Sequence, residues 1–192
     1  DDGVVHVESG SFRVDRRRAL DKLMRFQLPQ AEMFMLPWVR CAVASGATYV
    51  KLAPVQDALE LRFDGRPFTR QELADPYSCL FDKHKPENRR NRELAIGLLS
   101  VLRLKPQFVT LNSGAPASRS RLRVESLESD RVDPSEDPGS DTVIKVVPGP
   151  ATPGLWDPER AEWVESLCRV CRVPIWLSGL ESARVKIPPH PP

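Results

Sequence analysis

The sequence predicts an α+β domain, a two-layer sandwich in which helices cover one face of a mixed, mainly antiparallel sheet. Three observations carry that expectation: helical periodicity leads the chain, strand-like runs cluster later, and one long apolar helix separates an early strand pair from that cluster. The 192 residues, with 41% apolar content, suit one substantial core.

In chain order, residues 11–15 read as a short strand, with Asp15 as N-cap of a helix over 16–26 whose Ala19, Leu20, Leu23 and Met24 share a face. A second helix spans about 30–45, stops at Gly46 and leads into a strand over 48–52. Residues 59–63 form the strand that pairs with it, and a helix opens at Thr69. A basic irregular segment from Lys83 to Arg92 precedes a helix over 93–104, and strands follow over 107–111 and 122–129. Residues 130–141, rich in Asp, Pro, Ser and Gly, read as a mobile polar excursion, before a strand over 142–147, a helix over 158–172 and a strand over 173–177.

Charge and composition narrow the function classes. Basic and acidic residues nearly cancel, 28 against 26, so bulk electrostatics do not select nucleic acid or an anionic membrane. Without a long apolar run or a signal-like N-terminus, a cytoplasmic protein is expected, and the Pro-rich close at 187–192 reads as a linker in a longer chain. Cys41, Cys79, Cys168 and Cys171 make no disulfide framework. Cys168 and Cys171 form a Cys-x-x-Cys pair, but no second pair or His cluster gives zinc spacing, so they read as thiols on a packed helix face and no metal site is expected.

The densest motif is Leu59-Glu60-Leu61-Arg62-Phe63-Asp64-Gly65-Arg66-Pro67-Phe68-Thr69-Arg70-Gln71-Glu72-Leu73, a strand, a glycine turn and a helix start. It resembles the adenine-binding strand and turn of the GHKL ATPases, most closely the nucleotide-binding domain of the ninety-kilodalton heat-shock chaperones. Five other segments resemble that domain in the same order, the first being Phe12-Arg13-Val14-Asp15, which looks like its opening strand. Met35 to Ser45 with Gly46-Ala47-Thr48 is similar to the ATP-site helix and its exit, an exit shared with MutL mismatch-repair proteins. Leu94 to Ser100 resembles the lid-hinge glycine motif, Asp141 to Lys145 the strand closing the site, and Glu159 to Leu177 the passage into a middle domain. The resemblance implies the GHKL (Bergerat) fold over 1–150, with 151–192 as a connecting helix and strand, then a Pro-rich tail.

Carried over residue by residue, the ATP chemistry is broken. The catalytic base position is Pro37, which has no proton acceptor, and the magnesium position is Cys41, a soft thiol where a hard cation needs oxygen. An interior proline also costs a helix about 3 kcal/mol, so the helix is expected to kink or restart there. Glu32, the nearest upstream carboxylate, needs five residues of slippage to replace the base. The adenine-binding aspartate is Phe63, which cannot accept a hydrogen bond. The second turn glycine is Pro67, and two of three lid glycines are Arg92 and Ala95. Asp64, Gly65, Gly97 and Thr142 remain as cofactor-binding positions if nucleotide still binds. Asp64-Gly65 reads as turn chemistry, with a bulge that swings Asp64 into the site as the alternative.

The expected function is therefore a chaperone-like domain without ATP hydrolysis, a scaffold or protein-interaction module for a protein partner or client. The alternative is an ATPase that binds ATP with magnesium through a rearranged site. The cluster Lys83, His84, Lys85, Arg89, Arg90 and Arg92 reads as a solvated loop or as a grip for an anionic ligand. It lacks the interleaved aromatics of a nucleic-acid platform, so neither nucleic acid nor membrane is expected as a partner. Trp163, Leu167 and Val170 are expected to form the docking face of the last helix.

Overall fold

The computed structural model describes residues 9–26, 29–82, 86–152, 154–178 and 185–187. Its helices are α1 (Ser9–Phe26), α2 (Met35–Ala44), α3 (Arg70–Ala74), α4 (Arg89–Leu102) and α5 (Pro158–Cys168). The strands are β1 (Val50–Val55), β2 (Ala58–Phe63), β3 (Phe108–Ser113), β4 (Ser120–Val124), β5 (Asp130–Pro134), β6 (Thr142–Val147), β7 (Ile175–Leu177) and β8 (Val185–Ile187). They form one sheet in the order β5-β4-β3-β6-β2-β1-β7-β8, antiparallel throughout except where β1 meets β7. The fold class is therefore α+β with a mixed, mainly antiparallel sheet.

Strand alternation separates the two faces. Val50, Leu61, Phe63, Ile144, Val146, Leu111 and Leu122 are buried in the core beneath the helices. The opposite face carries cross-strand charge: Glu60 lies beside Lys145 in register and accepts from its ammonium at 3.2 Å, and from Arg62 Nε at 3.0 Å. One face is thus apolar and covered, the other polar, which makes a two-layer sandwich.

Several boundaries differ from the sequence expectation. Residues 11–15 are helical, inside α1, so there is no opening strand there and Asp15 is not an N-cap. Five residues of alternation are too few to distinguish a strand from the start of a helix. Residues 130–134 of the expected excursion form edge strand β5, paired with β4 from Ser120 opposite Pro134 to Val124 opposite Asp130. Charge and a terminal proline suit an edge strand, whose outer backbone groups need no partner strand. Residues 135–141 are then tied down by Arg119, which donates to the Asp137 carboxylate at 3.2 Å and to the Asp141 carbonyl at 2.7 Å. The helix expected over 158–172 stops at Cys168 and buries Ala161, Val164 and Cys168, whereas Leu167 and Val170 stay exposed.

Pro37 does not break α2. The helix begins at Met35 after a 3-10 turn, Ala31–Phe34, so Pro37 occupies the first turn, where backbone N–H groups have no intrahelical acceptor. α2 packs closely on α4 because Trp38 lies over Gly97. A Cβ at Gly97 would stand 2.2 Å from Trp38 Nε1, and that indole N–H donates to the Leu94 carbonyl at 3.3 Å. Gly97→Ala should therefore destabilise by about 1–3 kcal/mol, because overpacking outweighs the roughly 1 kcal/mol gained in helix propensity. Urea unfolding checks this, with a smaller penalty expected in a Trp38→Leu background, where the colliding ring is gone.

Candidate functional site

The region matched to a nucleotide site is built outward from the C-terminal end of α2. Gly46 adopts φ +72°, its N–H donates to the Val43 carbonyl at 3.1 Å, and Ala47 N–H donates to the Ala42 carbonyl at 3.1 Å. This is a Schellman cap. The turn after β2 seats directly on it. Gly65, at φ +98°, comes so near that a Cβ would lie 2.7 Å from Ser45 O and 2.9 Å from Ala47 N, and Arg66 N–H donates to Ser45 O at 2.8 Å. Only glycine combines that φ with that approach.

Asp64 points back to the same exit. Its Oδ1 accepts from Thr48 N–H at 2.7 Å and Tyr49 N–H at 3.2 Å, and its Oδ2 from the Thr48 hydroxyl at 2.5 Å. Burial acts to raise its carboxyl, but those three donors outweigh it and hold the pKa below the usual carboxylate value. The carboxylate's work here is to fasten β2 to the start of β1.

Beyond the turn, Thr69 and Glu72 form a capping box on α3: Thr69 Oγ1 accepts from Glu72 N–H at 3.2 Å and Glu72 Oε2 accepts from Thr69 N–H at 2.8 Å. Glu72 also receives Arg90. That guanidinium, 2% exposed, pairs with Glu72 Oε1, donates to the Arg66 and Pro67 carbonyls at 3.1 and 3.0 Å, and lies 4.1 Å from the Phe68 ring centroid. Arg92 donates to the Cys79 carbonyl at 2.9 Å. Lys83, His84 and Lys85 lie outside the described residues. The basic segment thus contains a buried structural cation that charge density alone cannot reveal, since an arginine in such a run ordinarily reads as solvated.

The three positions that the resemblance assigns to base, magnesium and adenine lie in the core. Phe63 has no exposed surface and sits in register between Val50 and Thr142. Cys41 is likewise 0% exposed; burial pushes its thiol up to about 12, although the Arg90 charge acts in the opposite direction. Pro37 is buried in the first turn of α2, and Glu32 lies on the preceding 3-10 turn rather than on that helix. Thr142, 3% exposed, shares a 2.7 Å hydrogen bond with the Ser113 hydroxyl, which accepts from Phe68 N–H at 2.9 Å.

These residues do not fit ATP with magnesium. A hard cation finds no oxygen at Cys41, and with neither Phe63 nor Cys41 touched by solvent, no water-sized space reaches either position. Among the described residues, no three His, Cys, Asp or Glu side chains converge on a metal position. Open space lies outside the turn, in a cleft of about 510 Å³ bordered by Ser45, Gly46, Arg66, Glu87, Arg89 and Arg90. Among the described residues no helix is long and apolar enough to cross a membrane. No family model and no curated protein matches this chain.

Two outcomes follow from the charges. Asp64→Asn keeps an amide oxygen for the Thr48 and Tyr49 N–H groups but removes the charge that strengthens those bonds and sets an NH2 against the Thr48 hydroxyl, so it should lower the unfolding free energy by about 1 kcal/mol in urea titration. Glu72, like Asp64, contributes a pH dependence. Burial raises its carboxyl, but the Thr69 N–H, the Arg90 charge and the Asn91 amide outweigh that and depress it. A depressed carboxylate stabilises the fold above its unfolded pKa, and that contribution is lost as pH falls through the folded value. Unfolding free energy should thus drop below about pH 4, and Glu72→Gln should lower stability at neutral pH while flattening that acid limb. Glu93 acts with the opposite sign, since burial raises it against the pull of Arg40, Arg89 and Arg92.

Proposed function

We propose that this chain is a chaperone-like domain of GHKL descent that has lost ATP hydrolysis and serves, in the cytoplasm, as a scaffold or interaction module for a protein partner or client. The observation that carries this reading is the burial of Pro37, Cys41 and Phe63, which stand where the resemblance expects base, magnesium ligand and adenine acceptor. The motif over 59–73 and four of the five other segments support the descent, whereas Phe12 to Asp15, expected as the opening strand, is helical and does not. Loss of the chemistry with retention of the packing is what a role in binding proteins rather than turning over nucleotide would leave. Gly65 and Gly97 each have a protein neighbour that forbids a side chain, and Thr142 has a protein hydrogen-bond partner, so none requires a nucleotide to explain it.

One observation favours a second reading. The cleft beside Arg66 and Arg89 offers cationic side chains to an anionic ligand, ATP with magnesium included, outside the buried core. Isothermal titration with ATP and magnesium, together with a phosphate-release assay, separates the two. The first reading expects neither binding heat nor phosphate above buffer. Micromolar binding with steady phosphate release would overturn it. Binding without hydrolysis that disappears in Arg66→Ala and Arg89→Ala would support the second.

A further inference from the structure

Cys168 is the last residue of α5, and Cys171 lies just past its end. Cys171 N–H donates to the Cys168 carbonyl at 2.8 Å, closing the turn Cys168-Arg169-Val170-Cys171. A four-residue turn keeps its end Cα atoms within about 7 Å, and disulfides span Cα separations of about 4.4–6.8 Å. The backbone therefore already holds the two residues at bridging range. Both are free thiols, and both line one cleft of about 560 Å³ between α2 and α5, alongside Arg40, Arg89 and Arg172.

The two thiols differ in access. Cys168 is 4% exposed, whereas Cys171 is only partly buried. Both thiols pack at the core, Cys168 inside it and Cys171 against its edge, and Cys171 alone of the two keeps partial exposure. Burial, and then the neighbouring Cys171, push the Cys168 thiol up to about 12, with Arg40 pulling it down, so Cys168 is the poorer first nucleophile and the opening attack falls to the more accessible Cys171. Cys41 and Cys79 are buried in the core and do not border this cleft.

We propose that Cys168 and Cys171 are a redox-reversible dithiol site that closes to an intramolecular disulfide by exchange with a low-molecular-weight disulfide of the glutathione class. Cys171 thiolate attacks one sulfur of the small disulfide and expels one small thiolate. Cys168 then gives its proton to solvent and attacks the Cys171 sulfur of the mixed disulfide, expelling the second. The protein thiols lose two electrons and two protons, and the small disulfide becomes two small thiols. The new ring encloses Val170, 73% exposed, and so fixes the conformation of the most exposed apolar side chain beside the cleft.

The test is intact-mass and peptide mapping of the full chain after equilibration in graded mixtures of reduced and oxidised glutathione, quenched in acid. The expected product is lighter by two hydrogens, maps to Cys168 joined to Cys171, and reverts in excess reduced glutathione. Cys168→Ser should stop at a mixed disulfide on Cys171, and Cys171→Ser should form no bridge and react about tenfold more slowly, leaving only buried thiols. Failure of the wild-type chain to react, arrest of the wild type at a mixed disulfide, or a bridge that maps elsewhere overturns the proposal. Mapping of the wild-type chain decides the matter even where a serine variant fails to fold.

Discussion

The approach of Gly65 to the Schellman cap of α2 sets the geometry on which the surrounding structure depends. The cap turns the α2 carbonyls inward, and Ser45 O is left to accept the Arg66 N–H at 2.8 Å. That bond positions the β2 exit against the β1 entrance, where Asp64 gathers Thr48 and Tyr49. With both ends of the hairpin fixed, β2 presents Phe63 to the core and Glu60 to the polar face. A shift of one residue would exchange those faces, burying charge and exposing the ring.

A second constraint is electrostatic. Burying an unpaired guanidinium is costly, so Arg90 is tolerated only where carboxylate, carbonyls and an aromatic face meet it together. Glu72 supplies the charge, Arg66 and Pro67 supply carbonyls, and Phe68 supplies the ring. The partner carboxylate is itself held by the α3 capping box, so one network joins α4, the glycine turn and α3. Such a pair adds little net stability over well-packed apolar residues, yet removing either member leaves the other charge uncompensated. Its contribution is therefore the relative placement of three elements.

Legibility followed the length and regularity of each signal. The strand over 142–147 was readable because Thr142, Val143, Ile144, Val146 and Val147 are β-branched, and 59–63 because apolar Leu59, Leu61 and Phe63 alternate with charged Glu60 and Arg62. Gly46 as a helix stop and Thr69 as a helix start were readable because each is local chemistry. The misread segments lacked that. Residues 11–15 offered too short a pattern, and residues 130–134 form a strand whose charges reflect an edge position set by distant pairing with β4. The burial of Arg90 depends on Glu72, eighteen residues away in sequence, and no local rule marks it.

The same distinction governs what Gly65 and Gly97 mean. A glycine shared with a nucleotide-binding pattern is evidence for a ligand only where no protein atom already requires its missing side chain. Gly97 gives way to Trp38, and Gly65 gives way to the backbone of Ser45 and Ala47. Each would be held by packing in the absence of any ligand, because a methyl group at either place collides with atoms that cannot yield cheaply. Asp64 follows the same logic: three donors from Thr48 and Tyr49 occupy its carboxylate. Gly65, Gly97 and Asp64 are thus sufficiently explained by the fold itself, and a claim of ligand binding has to rest on exposed groups at the rim, Arg89 and also Arg66, which is 64% exposed and pairs with Glu72 at 3.8 Å.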